Sequence, residues 1–406
     1  MFFDAIISTS KDKCCGCDAC VQICTQKAIS MVADDEGFLY PVLQLDRCID
    51  CGICEHVCPI INHEKAKSNE DPLAFAAIIK NEDELLKSSS GGIFTAIANY
   101  VLNQGGIVYG AAFDEYFKLR HEGIDNVDSL NKLRGSKYIQ SNNQGIYSQI
   151  KDKLCEGRLV YYVGTGCQVA GLKLFLKKKY DNLITSDLVC HGVPSQSAFD
   201  AAISKFQYMR NVVVETYSFR DKKVLGWSCS SSSYSKHLIS GKVKYYGFDP
   251  ILRSYFNAFI SASNFREICY KCPFATVERC GDITLADYWG VKKYHPNILT
   301  MNGVSAIFVN SDKGKAILNN IKDSVTLFKS KKEWIVDGNL SMRAPMHRPK
   351  VRDVFYKELK ANPIKLYSMF ENDTKIRKIK FKLIALLKTN RDIYLLLWKL
   401  KHKVWK

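Results

Sequence analysis

The chain has 406 residues, 47% of them hydrophobic, enough for two to four folded domains at roughly 100 to 200 residues each. Its net charge is +17, but the stretch from Asp373 to Lys406 alone holds 11 basic and 2 acidic residues, so the basicity is concentrated at one end. The opening MFFDAIISTS has no basic n-region and no run of 18 apolar residues occurs, so neither export nor a membrane span is indicated and a cytoplasmic protein is expected.

Sixteen cysteines without an export signal argue for metal or redox work rather than disulfides. Nine of them lie in the first 58 positions, and eight of those form two copies of C-x2-C-x2-C-x3-C: Cys14, Cys17, Cys20, Cys24, then Cys48, Cys51, Cys54, Cys58. Corresponding cysteines are 34 apart throughout, which marks an internal duplication. Three thiolates two residues apart on a tight loop can each reach a different iron of one cubane. Structural zinc instead pairs two short cysteine knuckles and does not call for this spacing. Cys15 is surplus to the pattern and reads as a bystander. The polar run from Asn62 to Asp71, closed by Pro72, reads as a linker.

From Leu73 onward, apolar runs rich in Ile, Val and Tyr alternate with helical patterns, which predicts an α/β or α+β body with strand-loop-helix units. Ser88-Ser89-Ser90-Gly91-Gly92 opens a helix near Ile93. Its hydroxyls can cap that helix while free N–H groups face outward, where a phosphate could sit; a plain serine cap after a flexible turn explains the same residues. The strand RLVYYV then runs into Gly164-Thr165-Gly166-Cys167-Gln168 and a helix, without the glycines of a dinucleotide fingerprint or the lysine of a P-loop. A cysteine at a helix N-terminus suits a nucleophile, a redox thiol or an iron ligand, and equally a small buried side chain. Cys190 at a strand end and the pair Cys269 and Cys272 add to Cys167, and could make a third [4Fe-4S] site if the fold brings them together. Cys280 competes as the fourth ligand, whereas Cys155 and Cys229 read as packing residues. His191, next to Cys190, would point to the opposite face of a strand, so no Cys-His dyad is expected. No catalytic residue is assigned.

The tail after about Ser330 ends in a lysine-rich stretch. There Leu383, Leu386, Leu387, Ile393, Leu396, Leu397 and Leu400 could share one side of a helix or helical hairpin. Two readings stay open: helices packed on the protein's own body, or peripheral contact with the inner face of a membrane or with a partner. No nucleic-acid motif accompanies the charge, so nucleic-acid binding is not expected.

Residues 1 to 62 resemble a bacterial two-[4Fe-4S] ferredoxin domain. In such domains the fourth thiolate of each cluster comes from the other repeat. The resemblance therefore implies one cluster on Cys14, Cys17, Cys20 and Cys58 and another on Cys48, Cys51, Cys54 and Cys24. Cys24 is followed by Thr25 where Cys58 has Pro59, which costs turn rigidity but no ligand.

The body resembles the coenzyme F-420 hydrogenase/dehydrogenase beta-subunit family in its bacterial form with a fused ferredoxin domain. The matching stretches are KSSSGG (87–92), GIVYGAAF (106–113), GSKYIQS (135–141), GTGCQVAGL (164–172), DLVCHGVPS (187–195), NFREICYKCPFA (264–275) and GDITLADYWG (281–290). The likeness covers about residues 1 to 330. It implies a flavoprotein carrying FAD beside an iron-sulfur cluster, moving electrons between a ferredoxin-type chain and a low-potential acceptor such as a deazaflavin. Relatives include a ferredoxin-dependent reductase of a chlorophyll intermediate. Carried over by position, Cys167, Cys190, Cys269 and Cys272 become the third cluster, and Ser89, Ser90, Gly91, Gly92, the Gly135 to Tyr138 loop with Lys137, and Gly164, Thr165 and Gly166 become FAD contacts. Gly166 stands where the family usually has proline, which loosens the turn before Cys167; Ala286 and Tyr288 replace the usual glycine and phenylalanine. Bacterial members that lack the deazaflavin tend to sit among polysaccharide-assembly genes, which warns against naming the deazaflavin as substrate.

An α+β protein follows: a ferredoxin-like domain (1–62), a linker (63–72), beta-subunit N-terminal-type (73–157) and C-terminal-type (158–330) domains forming a mixed α/β flavin and iron-sulfur body, and a helical basic tail (331–406). The expected function is a ferredoxin-linked iron-sulfur flavoprotein oxidoreductase that takes electrons from ferredoxin or a similar donor to a small-molecule or glycan-linked acceptor, with a tie to polysaccharide biosynthesis. The alternative is a non-catalytic electron-transfer subunit of a partner oxidoreductase. A redox-responsive scaffold is a third reading.

Overall fold

A computed structural model describes residues 10–68, 71–223, 226–247 and 249–371. The duplication read from the cysteines is also written in the backbone. Left-handed residues recur 34 apart, at Gly16 and Asp50 (φ 67° and 54°) and at Asp18 and Gly52 (72° and 68°). These are residue types for which that conformation costs least. Each pair turns the chain into a short helix, Ala19–Ile23 and Ile53–His56. Strands β1 (Ile29–Ala33) and β2 (Leu39–Leu43) pair antiparallel. Their turn is held by Asp34, whose Oδ1 accepts from the N–H of Glu36 and Phe38 at 3.0 and 2.9 Å.

The body is built on one eight-stranded mixed sheet and one three-stranded sheet. Its strands are β3 (Leu73–Ile79), β4 (Ile107–Phe113), β5 (Leu119–Ile124), β6 (Val160–Thr165), β7 (Leu183–Leu188), β8 (Val212–Ser218), β9 (Ser232–His237), β10 (Val243–Gly247), β11 (Ile283–Asp287), β12 (Ser305–Val309) and β13 (Val325–Lys329). The large sheet runs β13-β3-β12-β11-β7-β6-β4-β5, with β4, β6, β7 and β11 parallel at its centre and antiparallel strands at both sides. Parallel strands are covered on both faces, and β6 shows why it reads as a continuous apolar run. Val160 and Tyr162 enter the core shared with Val169 and Phe175, while Tyr161 and Val163 enter the opposite core with Ile97 and Ile184. Each fully buried side chain of this kind contributes about 1.5–3 kcal/mol. The crossover from β6 to β7 is the helix Gly166–Leu176, so both strands end at the same sheet edge. Ligands of open α/β sheets gather at that edge.

The ferredoxin-like part is fastened to the body rather than tethered. Arg266, wholly buried, donates to the carbonyls of Cys14 (2.6 Å) and Leu39 (2.9 Å) and to Gln140 Oε1 (3.0 Å), and Gln140 Nε2 donates to the Cys15 carbonyl at 2.9 Å. Gln22 Oε1 accepts the first N–H groups of the helix Ile146–Cys155, from Tyr147 (2.8 Å) and Ser148 (3.1 Å), in place of a cap from that helix's own sequence. The run expected as a linker carries the short helix His63–Ala66 with Ala66 buried, Lys67 paired with Glu278, and the Ser68 N–H bonded to the Arg279 carbonyl. Its polar residues find charged partners on the body, which composition alone does not reveal.

Residues 331–371 also belong to the packed fold. The helices Lys332–Gly338 and Val351–Ala361 are followed by Leu366, Tyr367 and Phe370 in the core built on the helix Gln196–Arg210. Arg352 reaches back to the β1-β2 turn with a two-pronged pair to Glu36 at 3.0 and 2.7 Å. The leucine and isoleucine face expected between Leu383 and Leu400 lies outside the described residues. Among the described residues no helix is long and apolar enough to cross a membrane.

Candidate functional site

Three groups of cysteines stand apart in the fold. Cys24, Cys48, Cys51 and Cys54 line a cavity of about 40 Å3, walled by Ile23, Ile29, Leu43, Ile49 and Ile53. Cys51 is exposed and its partners are half-buried, so this group opens to the surface. Backbone N–H groups aim at the sulfurs, Asp50 to Cys48 at 3.4 Å and Ala28 to Cys24 at 3.3 Å, and the first repeat matches with Gly16 to Cys14 at 3.3 Å. The left-handed residues at 16 and 50 are what turn those N–H groups inward.

Cys14, Cys17, Cys20 and Cys58 form the second group. Burial and then the charges of Cys14 and Cys58 push the Cys20 thiol well up, and burial with Cys14 and Cys54 nearby raises Cys58. Buried thiols that would repel one another as thiolates suit a set of cations, which deprotonates them outright. Each group draws three cysteines from one repeat and the fourth from the other. Among the described residues no three His, Cys, Asp or Glu side chains converge on a point that one metal ion could occupy. A four-iron cubane asks instead for one thiolate per iron, four in each group.

The third group lies at the C-terminal edge of β6 and β7, around a cavity of about 60 Å3 lined by Cys167, Cys190, Cys269 and Cys272. Cys167 is in the first turn of the helix after β6, Cys190 lies just past β7, and the short 3-10 turn Glu267–Lys271 carries Cys269 and ends at Cys272. Burial, then the charge of Cys167, pushes Cys190 up to about 12 and Cys272 up to about 11. A buried ion pair ties the supporting loops together: Arg279 Nη2 lies 2.5 Å from Asp187 Oδ2. The same guanidinium donates to the carbonyls of Phe274 and Thr276, after Cys272, and of Leu188, before Cys190. The four cysteines sit on three segments far apart in sequence, and Arg279 holds two of them at one spacing.

Several residues fall differently from the sequence expectation. Cys15, expected as a bystander, is buried on the wall of the third cavity, touching Cys167 on one side and Cys17 on the other. The only sign in the sequence was the Cys14-Cys15 doublet. Cys280 is buried in the core but does not line the cavity, while Cys155 and Cys229 are exposed rather than packed. His191 lines the same cavity as Cys190, because β7 stops at Leu188 and both follow it in a loop. Its Nε2–H donates to the Ile260 carbonyl at 3.3 Å, and burial holds its pKa below the usual value.

The residues singled out for FAD do not fit that group as a set. Thr165 and Gly166 line the cysteine cavity; Ser89, Ser90, Gly91, Gly92, Lys137 and Gly164 do not. The helix from Ile93 is entered through left-handed Gly92 with no serine cap. Ser89 Oγ accepts from the Ser136 N–H, Ser90 Oγ donates to the Val304 carbonyl, and the Gly91 N–H goes to Ser305 Oγ. Lys137 Nζ is turned onto the Lys132 and Arg134 carbonyls at 3.0 and 2.8 Å. Donors committed inside the fold are not presented to a diphosphate.

Residues 13–60 match the 4Fe-4S dicluster domain, so two [4Fe-4S] clusters are the cofactors of the N-terminal part. Residues 157–333 match the C terminus of the coenzyme F420 hydrogenase/dehydrogenase beta subunit. Over that stretch the chain is similar to the F420 hydrogenase/dehydrogenase beta-subunit family. The beta-subunit stretch runs from just before β6 into the helix Lys332–Gly338 and contains all four cysteines of the third group. Among solved structures, a chain of the F420-reducing [NiFe] hydrogenase complex from Methanosarcina barkeri is 16% identical, with a TM-score of 0.41 over 75% of this chain and 91% of that one. No curated protein matches. A dicluster domain joined to a beta-subunit domain makes this an iron-sulfur electron-transfer protein of the oxidoreductase class.

Proposed function

We propose that the chain is an electron-transfer subunit that carries electrons inward from a ferredoxin-type donor and hands them to a partner oxidoreductase through a third [4Fe-4S] centre on Cys167, Cys190, Cys269 and Cys272. The observation that carries this reading is Cys15, which touches a ligand position of the dicluster part, Cys17, and a ligand position of the body, Cys167. The order of the groups supports it. The Cys48 group opens to solvent, the charge of its Cys54 reaches Cys20 and Cys58 of the next group, and Cys15 joins that group to the body cavity. A [4Fe-4S] centre supplies one-electron chemistry at a potential set by charge, hydrogen bonds and exposure. The chain's own part is spacing and burial: Arg266 and Gln140 hold the Cys14–Cys15 loop against the body, and Arg279 holds the loops of the third group. The family's description as a beta subunit supports a partner that completes the reaction.

A second reading, a flavoenzyme that reduces its own small acceptor, draws on the placing of Thr165, Gly166 and His191 on the wall of the cavity beside the four cysteines. Iron, sulfide and flavin quantitation on anaerobically purified chain separates the two. About twelve irons supports three centres, and about eight would remove the third. Bound flavin, with reduction of a substrate by the chain alone, would favour the flavoenzyme. Cys51→Ala should abolish electron entry from reduced ferredoxin while the third centre keeps its four irons; undiminished entry would sink the proposed order.

A further inference from the structure

We propose that Thr165 is the positioning residue that sets the reduction potential of the third centre, by donating its hydroxyl hydrogen bond to the sulfur of Cys167. The inference rests on the reading of Cys167, Cys190, Cys269 and Cys272 as ligands of one cluster. Thr165 ends β6 in an extended conformation and precedes the helix that carries Cys167, which places its Oγ1 at 3.1 Å from Cys167 Sγ inside the cavity.

The hydroxyl has one proton and two acceptors within reach, Cys167 Sγ and Gln168 Oε1, both at 3.1 Å. Gln168 Oε1 already accepts the Thr165 backbone N–H at 3.0 Å, and Gln168 Nε2 donates to Ser141 Oγ at 3.0 Å, so the glutamine is satisfied without the hydroxyl. A cysteine that ligates iron has lost its proton and offers only lone pairs. A thiolate is a stronger acceptor than a neutral amide oxygen, so the hydroxyl turns to sulfur when the centre is built. A hydrogen bond to a ligating sulfur favours the reduced cluster, which carries one more negative charge, and so raises the potential. The other three ligand positions take backbone N–H groups: Gly192 at Cys190, Val193 at Cys269, Phe274 and Ala275 at Cys272. Thr165 differs from them in being a side chain. A third centre of raised potential is the low point of the path, which draws electrons inward from the dicluster part.

The test uses the full-length chain, purified and reconstituted anaerobically, with iron content and potentiometric titration followed by EPR. Thr165→Val should keep about twelve irons. It should also shift the third centre's oxidised-to-reduced ratio about tenfold toward the oxidised form at a given potential, roughly 59 mV more negative for one electron. The two dicluster centres should not move, and Thr165→Ser, which restores the hydroxyl, should return the third centre to near its original potential. Twelve irons with an unmoved potential in Thr165→Val would overturn this inference alone. Eight irons in the unaltered chain would overturn the third-cluster reading and this inference with it. Loss of four irons in both Thr165→Val and Thr165→Ala overturns it as well, since the hydroxyl would then build the centre rather than tune it.

Discussion

Arg279→Met removes the cation of an ion pair whose side chains are 2% and 1% exposed, and it is the sharpest perturbation available at the third group. It leaves Asp187 buried with two remaining donors, the Gly281 N–H at 3.2 Å and the Thr284 hydroxyl at 2.8 Å. Breaking one side of such a pair costs about 3–5 kcal/mol, because the surviving carboxylate keeps its desolvation penalty without its partner. The carbonyls of Phe274, Thr276 and Leu188 lose their donor as well, and those carbonyls belong to the segments that carry Cys272 and Cys190. The expected outcome is a large fall in the urea midpoint and, with the third centre proposed above, a loss of about four irons per chain while the dicluster irons are retained. Arg279→Met combined with Asp187→Leu removes both charges and should recover part of the stability lost in the single variant, since two apolar side chains leave no buried charge unpaired. The iron loss should persist in the double variant, because the three carbonyls still lack their donor. A single variant that loses under about 1 kcal/mol, or a double variant less stable than the sum of the singles, would refute the assignment of the pair as the brace of this site.

Two further substitutions probe the joint and the sheet. Gly171→Val in the helix Gly166–Leu176 meets Cys17 Sγ and Tyr147 Oη, which lie 3.2 and 3.1 Å from where its Cβ would fall. It should cost about 1–3 kcal/mol by overpacking and weaken the EPR signal of the Cys14 group; an unchanged signal and stability would show that the joint has slack there. His121 is buried, its Nε2–H donates to the Val163 carbonyl at 3.0 Å, its Nδ1 has no hydrogen-bond partner, and burial lowers its pKa to about 4. Between pH about 4 and the unfolded value near 6.5 the unfolded chain binds the extra proton, so this group's contribution is complete above that window and is lost as pH falls through it. Relative to His121→Phe, the unaltered chain should lose about 3 kcal/mol between pH 7 and 4, read from urea midpoints, and parallel pH curves would contradict the burial argument.

The eight N-terminal cysteines were legible because their information is local. Spacings of two and three residues on a tight loop suffice to present a cubane's ligands, and the 34-residue repeat announces itself in the sequence and returns in the left-handed pairs of the backbone. The strand-loop-helix rhythm around RLVYYV and the α+β class were legible for a similar reason, since a short continuous apolar run bounded by turn residues needs only its own side chains. Three things depended on partners remote in sequence. The Asn62 to Asp71 run reads as solvated, yet Lys67 and Ser68 are tied to Glu278 and Arg279, more than 200 residues away. Ser89 and Ser90 read as caps, but the Ser136 N–H and the Val304 carbonyl claim them. Cys15 reads as surplus, and only the docking of the dicluster part by Arg266 and Gln140 turns it toward Cys167. By itself the sequence determined which residues could bind iron. The parallel centre of the sheet decided which of them meet, because strands that run the same way end at the same edge, and the cysteines brought together there come from segments no local pattern connects.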